Sequence, residues 1–392
     1  MNVVFLSPSL SRNAGGIFEI ERNLARALQR TTSTQPTVMG LKDEHVETDR
    51  SKWAPLSPTT FDVVGPRAFG YAPNLLNALH ETNADLVHLH ALWMYTSLVT
   101  LRWSQDAGRP HVVTINGMLD DWALSNGRWK KRIAEWLYER KNLETAACIQ
   151  VNTEKEHTAL RNFGISAPAC VIPNGVSLPD LSSVSLPPWY GDISEDQRVL
   201  LFLGRIHPKK GLREMVDGWE KWSRSDSSSA RWTLAIVGWD DGGHEDALRR
   251  HIHDAGLETS IRILGPCFGE EKKAAFAHAN AFVLPSHSEG LPMAVLEAWS
   301  YRLPVLKTPA CNLSGGFDAG AAIKIEPESS SIAQGLNQIA SLTAEERAEM
   351  GHRGRALVED RFTWESVAQK MHHVYQWIDD RRAQPHCVYL SS

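Results

Sequence analysis

The sequence has little of what several protein classes require. Its five cysteines stand at positions 148, 170, 267, 311 and 387 and form no CxxC pair, so they predict neither a disulfide framework nor a zinc site. They are typical of a reducing compartment. The chain carries 41 Lys and Arg against 46 Asp and Glu, for a net charge of -5. It therefore lacks the net positive charge that is typical of nucleic-acid-binding proteins.

Long hydrophobic runs are also missing. No stretch approaches the roughly 20 apolar residues that a membrane-spanning helix needs. The start, MNVVFLSPSL, has no basic segment and an apolar run only from Val3 to Leu6, so we interpret it as a buried strand and not a signal peptide. We expect a cytoplasmic protein. With 392 residues, 42% of them hydrophobic, the chain is long enough for two globular domains.

Short β-branched runs alternate with longer helical patterns along the chain. This alternation predicts an α/β fold with parallel sheets covered on both faces. The strands predicted in the first half are Val3–Ser7, Thr37–Leu41, Asp85–His90, His111–Asn116 and Cys148–Asn152. Those in the second half are Val199–Leu203, Thr233–Val237, Ile261–Leu264, Ala281–Pro285, Pro304–Lys307 and Ala322–Ile325.

The pattern restarts at Val199, just after a stretch rich in Pro, Ser and Asp at Ser177–Gln197. We place the linker between two Rossmann-like domains in that stretch. The predicted first domain covers residues 1–182 and the second covers residues 195–364. A cleft between them is expected, with ligands at the carboxyl ends of the strands. The tail from Gln384 onward is expected to be loosely ordered.

Two loops in the second half carry charged residues at strand ends. Gly204 and Arg205 end the first strand, and Lys209 and Lys210 follow on the same loop. Such side chains bind phosphate oxygens well. A solvated basic loop is the simpler alternative, because Lys and Arg are common in loops.

The fourth strand of this half leads into PSHSEGLP and then a helix. Pro292 fits the first turn of that helix. The N–H groups within Gly290–Met293, which all but Pro292 carry, then form an anion site. Glu289 lies before the helix and Glu297 lies inside it. The structural alternative is that Glu297 is an ordinary surface residue and that Glu289 stabilises the helix through its dipole. Because the loop cations, the start of a helix and two carboxylates occur together at these strand ends, we favour a functional site.

These motifs resemble those of glycosyltransferase family 4, retaining enzymes with the GT-B fold. Ser288–Leu306 is similar to the E-x7-E motif of that family. Gly117–Leu124 (GMLDDWAL), with the basic segment that follows, resembles the branch active in exopolysaccharide and lipopolysaccharide assembly. Other matching segments are Gly204–Leu212, Val171–Val176, Val87–His90 and the pair Gly15 and Gly16.

The resemblance implies two facing Rossmann-like domains, with the C-terminal helix from about residue 365 to 392 packed on the first of them. It implies transfer of a sugar from a nucleotide-diphosphate sugar to a glycan or lipid-linked acceptor. The residues that it assigns to catalysis are Arg205 and Lys210, which would hold the diphosphate, and Glu289, which would contact the donor sugar. Those that it assigns to donor binding are Gly15, Gly16, Gly290, Leu291 and Glu297, with Glu297 on the ribose.

No cofactor or metal is expected, since the nucleotide sugar is a substrate. No two aspartates stand two residues apart, so the DxD motif of metal-dependent glycosyltransferases is missing from the sequence. Arg205 and Lys210 are suited to the charge neutralisation that a metal ion supplies elsewhere.

One position departs from the family pattern. Many members carry His at the end of the fifth strand of the first domain, and related polysaccharide enzymes tend to have Arg, whereas this chain has Asn116. Asn is no general base, but it can hydrogen-bond a sugar hydroxyl.

His88 and His90 end the preceding strand, and both lie on one face of the sheet. His90 is a candidate contact to the acceptor, and a purely structural role is the alternative. A same-face reaction is preferred, and a covalent intermediate remains the alternative.

A basic amphipathic segment runs from Arg128 to Lys141. It has six basic and two acidic side chains, and it places Trp129, Ile133, Trp136 and Leu137 at helical spacing. We expect the Trp face to pack on the core. The basic face leaves open a peripheral contact with anionic lipid at the inner face of the membrane.

Two other functions stay open from sequence alone. A nucleotide-sugar epimerase shares the two-domain fold. A non-catalytic glycosyltransferase-like subunit would bind donor or glycan without turnover, and Asn116 is the one local reason to consider it.

Overall fold

The computed structural model describes residues 1–120, 124 and 128–390. Positions 121–123 of the Gly117–Leu124 motif, and the last two residues of the tail, lie outside them. The chain forms two compact units, Met1–Gly175 with Trp364–Ser392, and Val176–Thr363. No helix within the described ranges is long and apolar enough to cross a membrane.

The first unit begins with an alternating series of strands and helices. Its strands are β1 Asn2–Ser7, β2 Gln35–Leu41, β3 Thr59–Phe61, β4 Leu86–His90, β5 His111–Thr114, β6 Cys148–Val151 and β7 Ala169–Val171. Its helices to this point are α1 Gly16–Thr31, α2 Val46–Asp49, α3 Leu75–Glu81, α4 Tyr95–Ala107, α5 Arg128–Ala134, α6 Arg140–Glu144 and α7 Glu154–Asn162.

The second unit repeats the pattern. Its strands are β8 Arg198–Leu203, β9 Trp232–Val237, β10 Ile261–Gly265, β11 Ala281–Leu284, β12 Val305–Lys307 and β13 Ala322–Lys324. Its helices are α8 Leu212–Ser225, α9 Glu245–Asp254, α10 Gly269–His278, α11 Met293–Ser300, α12 Gly315–Asp318, α13 Ser329–Ser341 and α14 Ala344–Arg361. The chain then returns to the first unit through α15 Trp364–Ile378 and β14 Val388–Tyr389.

Both sheets have the strand order of a Rossmann-like fold. The second sheet runs β10-β9-β8-β11-β12-β13, and the first runs β14-β7-β6-β5-β4-β1-β2-β3. All pairs are parallel except β14 with β7. The order reverses between β8 and β11, and between β1 and β4, where ligands bind in such sheets. Both predicted Rossmann-like domains are therefore present.

All eleven predicted strands are present, with ends that differ by up to two residues. Sequence reasoning missed β3, β7 and β14, which are only two or three residues long and lack a distinct pattern. The expectation of a loosely ordered tail from Gln384 is wrong for β14. Val388 is buried and pairs with Cys170 of β7, because that edge of the first sheet would otherwise expose its backbone groups.

The chain passes from one unit to the other between Gly175 and Val176, ahead of the Pro- and Ser-rich stretch. That stretch, residues 177–197, belongs to the second unit, where Trp189 is buried in the core. The return occurs between Thr363 and Trp364. A Cβ on Gly175 would lie 2.6 Å from Trp364 Cδ2, so only glycine fits there.

A buried carboxyl in the first unit gives a testable pH dependence. Burial in α1 raises the pKa of Glu21 from 4.5 to about 8, and the Ser7 hydroxyl opposes the shift. A raised folded-state pKa gives stability that is complete below about pH 4.5 and is lost as the pH rises through about 8. Glu21→Gln should therefore gain roughly 4 kcal/mol relative to the wild type between pH 5 and pH 8.5. Thermal melts at both pH values test this, and an equal difference at the two would contradict it.

Candidate functional site

The loops after β8 and β11 lie side by side at the carboxyl edge of the second sheet. These strands are neighbours and run parallel, and the strand order reverses between them. The loop after β8 carries Arg205 and Lys210, and the loop after β11 carries Glu289, Gly290 and Leu291. The topology therefore gathers five of the predicted residues at the switch point of one sheet.

The β8 loop is shaped by one short turn and one glycine. Pro208–Lys210 forms a 3-10 turn that His207 caps, with its Nδ1 accepting from the Lys209 N–H at 3.1 Å. Gly211 ends the turn with φ of +68°, and a Cβ there would lie 2.2 Å from the Pro285 carbonyl oxygen. Glycine thus allows the loop to pack against the end of β11 and fixes the position of Lys210.

Lys210 and Glu289 form a half-buried ion pair across the two loops. Lys210 Nζ lies 2.7 Å from Glu289 Oε1, and the side chains are 16% and 11% exposed. The Ser286 hydroxyl donates to the same carboxylate oxygen at 2.6 Å. Charge-assisted bonds of this kind are strong when shielded from water. The carboxylate is consequently held in one orientation without a ligand.

The backbone of the β11 loop is held from the next loop along the sheet. The Asn312 side-chain amide donates to the carbonyl oxygens of Glu289 at 2.7 Å and Gly290 at 3.0 Å. The Glu289 N–H donates to Ala310 O at 3.1 Å. Within the described chain, the N–H groups of Gly290 and Leu291 donate no hydrogen bond. They are therefore available to an anionic or hydroxyl ligand just ahead of α11.

Glu297 lies in the first turns of α11, which starts at Met293, one residue after Pro292. Its Oε1 is 2.6 Å from Lys272 Nζ of α10, and the two side chains are 23% and 33% exposed. The pair is partly open to solvent, so a ligand hydroxyl can reach the carboxylate. Glu297 is thus kept in place by a lysine from a different helix.

Arg205 is more exposed than Lys210 and faces another carboxylate. Its Nη1 lies 2.7 Å from Asp241 Oδ2, with exposures of 47% and 40%. Asp241 follows β9, the strand on the other side of β8. Exposed pairs of this kind contribute little to stability, so Arg205 can exchange Asp241 for a phosphate at low cost.

In the first unit, Gly15 joins a 3-10 turn to α1, and Gly16 is the first residue of that helix. Gly15 has φ of +56°, so the turn itself favours glycine there. Gly16 has an ordinary φ, and a Cβ on either residue would meet no atom within 4 Å. The local structure does not explain glycine at position 16, and its role in approaching a ligand stays a prediction.

His90 and Asn116 lie at the carboxyl ends of β4 and β5. The His90 ring is fully buried and stacks on Phe5 at 5.0 Å, and burial lowers its pKa to about 3, so it is neutral at pH 7. Asn116 has φ of +46°. Neither side chain has a hydrogen-bond partner in the described part of the chain. His88 does have partners, Tyr375 and Thr114 at 2.6 Å each.

A cavity of about 440 Å³ opens at this edge of the first sheet. Its wall includes Ala14 and Ile17, which flank the glycine pair, and Ala91, which follows His90. It also includes Met118, two residues after Asn116. The rest of the wall mixes apolar side chains such as Leu41 and Met94 with polar and charged ones such as Ser9, Lys42 and Arg67. The predicted residues of the first unit therefore lie next to the wall of this cavity in sequence, but none of them forms part of the wall.

The expectation that the Trp face of the basic segment packs on the core is wrong. Trp129 and Trp136 are 66% and 83% exposed, and Ile133 and Leu137 are exposed beside them. The segment is anchored instead by its opposite face, where Ala134 and Tyr138 pack against Leu101. The Tyr138 hydroxyl also donates to Trp93 O at 2.7 Å. The small Ala134 and the polar end of Tyr138 make this face weakly hydrophobic in sequence, which explains the error.

Two family descriptions match almost the whole chain. "Glycosyl transferases group 1" matches residues 189–357, and "Glycosyl transferase 4-like domain" matches residues 17–175. The chain belongs to the group 1 glycosyltransferases. It is consequently a transferase that uses nucleotide sugars, as the resemblance of its motifs implied.

Curated relatives of this glycosyltransferase share about a quarter of its residues. A GDP-mannose:cellobiosyl-diphosphopolyprenol alpha-mannosyltransferase of Xanthomonas oryzae is 25% identical over 379 residues, covering 94% of each chain. A D-inositol 3-phosphate glycosyltransferase of Kineococcus radiotolerans is 26% identical and covers 75% of this chain and 73% of its own.

Solved structures support the GT-B fold. HepE of Anabaena in complex with UDP and glucose has a TM-score of 0.73 at 19% identity, covering 96% of this chain and all of that one. The lipopolysaccharide outer core galactosyltransferase WaaB has a TM-score of 0.65 at 17% identity, covering 96% and 99%. At these identities the likeness concerns the fold alone.

Sequence reasoning missed four residues that hold the site of this glycosyltransferase. Ser286 stands close to Glu289 in sequence, so its proximity was available as a signal. Lys272, Asp241 and Asn312 lie on other loops or helices, 22 to 36 residues from their partners. Nothing in the sequence alone indicates those contacts.

Proposed function

We propose that this glycosyltransferase transfers a sugar with retention of configuration from a nucleotide-diphosphate sugar to a glycan or lipid-linked acceptor in the assembly of cell-surface polysaccharide. The Lys210–Glu289 ion pair carries the proposal. It brings a cation and a carboxylate together beside two available backbone N–H groups at the switch point of the sheet, which supports binding of a sugar diphosphate there. The acceptor class follows from the polyprenol-linked substrate named for the Xanthomonas relative.

In this proposal each charged side chain changes partner when the donor binds. Arg205 leaves Asp241 and Lys210 turns from Glu289 towards the diphosphate, which is a stronger anionic ligand than one carboxylate. Glu289 is then released to accept hydrogen bonds from the donor sugar. Glu297, steadied by Lys272, accepts from the ribose hydroxyls. Gly290 and Leu291 donate their N–H groups at the helix start.

The proposed reaction takes place on one face of the sugar. The bond from the anomeric carbon to the leaving phosphate oxygen breaks, and a bond to the acceptor oxygen forms on the same side. The acceptor proton passes to the leaving phosphate oxygen, so no protein base is required and Asn116 fits the step. Arg205 and Lys210 stabilise the charge that develops on the diphosphate, and we propose that no metal ion takes part.

Donor binding and metal dependence give the test of this proposal. UDP, GDP, ADP and TDP are screened by thermal shift, and a diphosphate at 100 times its Kd should stabilise the protein by about 2.7 kcal/mol. With the matching nucleotide sugar, product formation should persist in EDTA, and NMR should show the anomeric configuration of the donor.

Three results would contradict parts of the proposal. Activity lost in EDTA and restored by magnesium or manganese would contradict the metal-free reaction. Conversion of the donor to its epimer without acceptor would support the epimerase alternative. Binding without transfer or donor hydrolysis, across acceptors, would support the non-catalytic alternative.

We also propose that the basic segment docks this protein on anionic lipid, where a lipid-linked acceptor lies. The exposed face defined by Trp129, Ile133, Trp136 and Leu137 is apolar, and exposed Arg128, Lys130 and Arg132 flank it. Aromatic rings next to cations suit the headgroup region of a membrane, and anionic lipid attracts such cations. The cavity of the first unit, on the same unit as this face, is the proposed acceptor site.

Vesicle co-sedimentation tests the docking surface. The protein should sediment with vesicles that contain anionic phosphatidylglycerol, less so at 0.5 M salt, and little with neutral vesicles. Trp129→Ala with Trp136→Ala should reduce sedimentation because the rings no longer insert. Tyr190→Ala removes an exposed aromatic ring of the other unit and serves as control. Equal sedimentation of all three proteins would contradict this docking surface.

A further inference from the structure

Two aromatic rings stand exposed next to each other at the edge of the second sheet. Trp239 follows β9 and Phe268 follows β10, and they are 46% and 66% exposed. Their ring centroids lie 6.3 Å apart with an interplanar angle of 29°. Large apolar rings of this kind are costly to leave in water, and a paired set often marks a ligand or partner site. The proposed function gives neither ring a role.

Trp239 is bonded to the loop that carries Arg205. The Ile206 N–H donates to Trp239 O at 2.8 Å, and the Asp241 N–H donates to Ile206 O at 3.2 Å. The strand ends are packed closely here, since a Cβ on Gly238 would lie 1.8 Å from Gly204 O. Trp239 is thus held at a fixed distance from the proposed diphosphate ligands.

Phe268 is linked to the residue proposed to bind the ribose. It is the residue just before α10, and the Lys272 N–H donates to Phe268 O at 3.4 Å. Lys272 holds Glu297 through their 2.6 Å ion pair. One helical turn therefore separates the Phe268 backbone from the lysine that steadies the proposed ribose ligand.

We infer that Trp239 and Phe268 form the stacking surface for the base of the nucleotide donor, an inference that rests on the proposed function. In a nucleotide the ribose lies between the diphosphate and the base. Trp239 is hydrogen-bonded to the loop of the proposed diphosphate ligand Arg205, and the lysine that pairs with the proposed ribose ligand lies one helical turn from Phe268. The two rings are thus linked to the ligands of both groups that precede the base. Every base has a flat π-face, and stacking on aromatic side chains is tolerant of base identity.

Binding of nucleoside diphosphates compared with inorganic pyrophosphate tests the inference. Isothermal titration calorimetry on the full-length protein measures both for the wild type, Trp239→Ala and Phe268→Ala. Each substitution should raise the Kd of the nucleoside diphosphate about 5- to 100-fold. The Kd of pyrophosphate should stay within about twofold, which also shows that the variant site is folded. Trp239→Phe should retain most of the affinity, because a flat ring remains.

Tyr190→Ala is the matched control, since Tyr190 is 60% exposed in the same unit but follows neither strand. It should leave both affinities unchanged. If Trp239→Ala and Phe268→Ala bind the nucleoside diphosphate as tightly as the wild type does, the stacking surface is wrong while the proposed function stands. If the wild type binds pyrophosphate but no nucleoside diphosphate, the proposed function fails and the inference fails with it.

Discussion

Replacing Lys210 by alanine should slow sugar transfer about 100- to 1,000-fold. The cation lies next to Glu289 at 2.7 Å and is only 16% exposed, so its charge acts in a partly shielded environment. In the proposed reaction, its loss removes stabilisation of the leaving diphosphate, which is needed most in the transition state. The main effect is therefore expected on kcat, with a smaller loss of donor affinity. Steady-state kinetics with varied donor measure both.

The control for this prediction is Lys221→Ala. Lys221 lies on α8 and donates to Ser329 Oγ at 2.7 Å, away from both site loops. Its removal should leave kcat within about twofold. A melting temperature for Lys210→Ala close to that of the wild type would show that the rate loss is not unfolding. If Lys210→Ala retained full kcat and lost only protein stability, the lysine would be structural, holding Glu289 and nothing more.

Replacing Gly211 by alanine should both destabilise the protein and slow transfer. The residue has φ of +68°, which costs a side-chain-bearing residue roughly 1–2 kcal/mol. The new Cβ would also lie 2.2 Å from Pro285 O, so the loop or the end of β11 must move, at a further cost of about 1–3 kcal/mol. Because Lys210 is the preceding residue, a displacement near 1 Å is enough to lower the rate by about 100-fold.

Gly256→Ala separates the cost of the positive φ from the cost of the close contact with Pro285. Gly256 has φ of +69°, and a Cβ there meets no atom within 4 Å. This variant should show the backbone cost alone, with a smaller drop in melting temperature and unchanged kcat. Equal drops in melting temperature for the two variants, with full activity in both, would show that the close contact at Pro285 is relieved without moving the site.

The sequence was sufficient for the part of the fold that depends on periodicity. Long alternating strands and helices such as β8 and α8 bury apolar residues in regular patterns, and their existence and the two-domain α/β class were predictable. The edge strand β14 was not. Two residues are too few to show the alternation of a strand. Their pairing with β7 depends on where the chain lies after helix α15.

The candidate site likewise has a part that the sequence predicts and a part that it does not. Arg205, Lys210, Glu289 and Glu297 carry recognisable chemistry at fixed spacings, so the sequence is enough to propose them as a group. Their partners were not, because the contact between Lys272 and Glu297 is made only once α10 and α11 have packed. The exposure of Trp129 and Trp136 was missed for a similar reason. Helical spacing defines one apolar face but does not say which face the body of the protein covers.

The most direct test of the account is a crystal structure of the protein with a bound nucleoside diphosphate. We expect diphosphate oxygens at about 3 Å from Lys210 Nζ, the Arg205 guanidinium and the N–H groups ahead of α11, with Glu297 on the ribose. The Lys210–Glu289 pair should be opened in that complex. A diphosphate bound elsewhere, with that ion pair still closed, would contradict the donor site proposed for this glycosyltransferase.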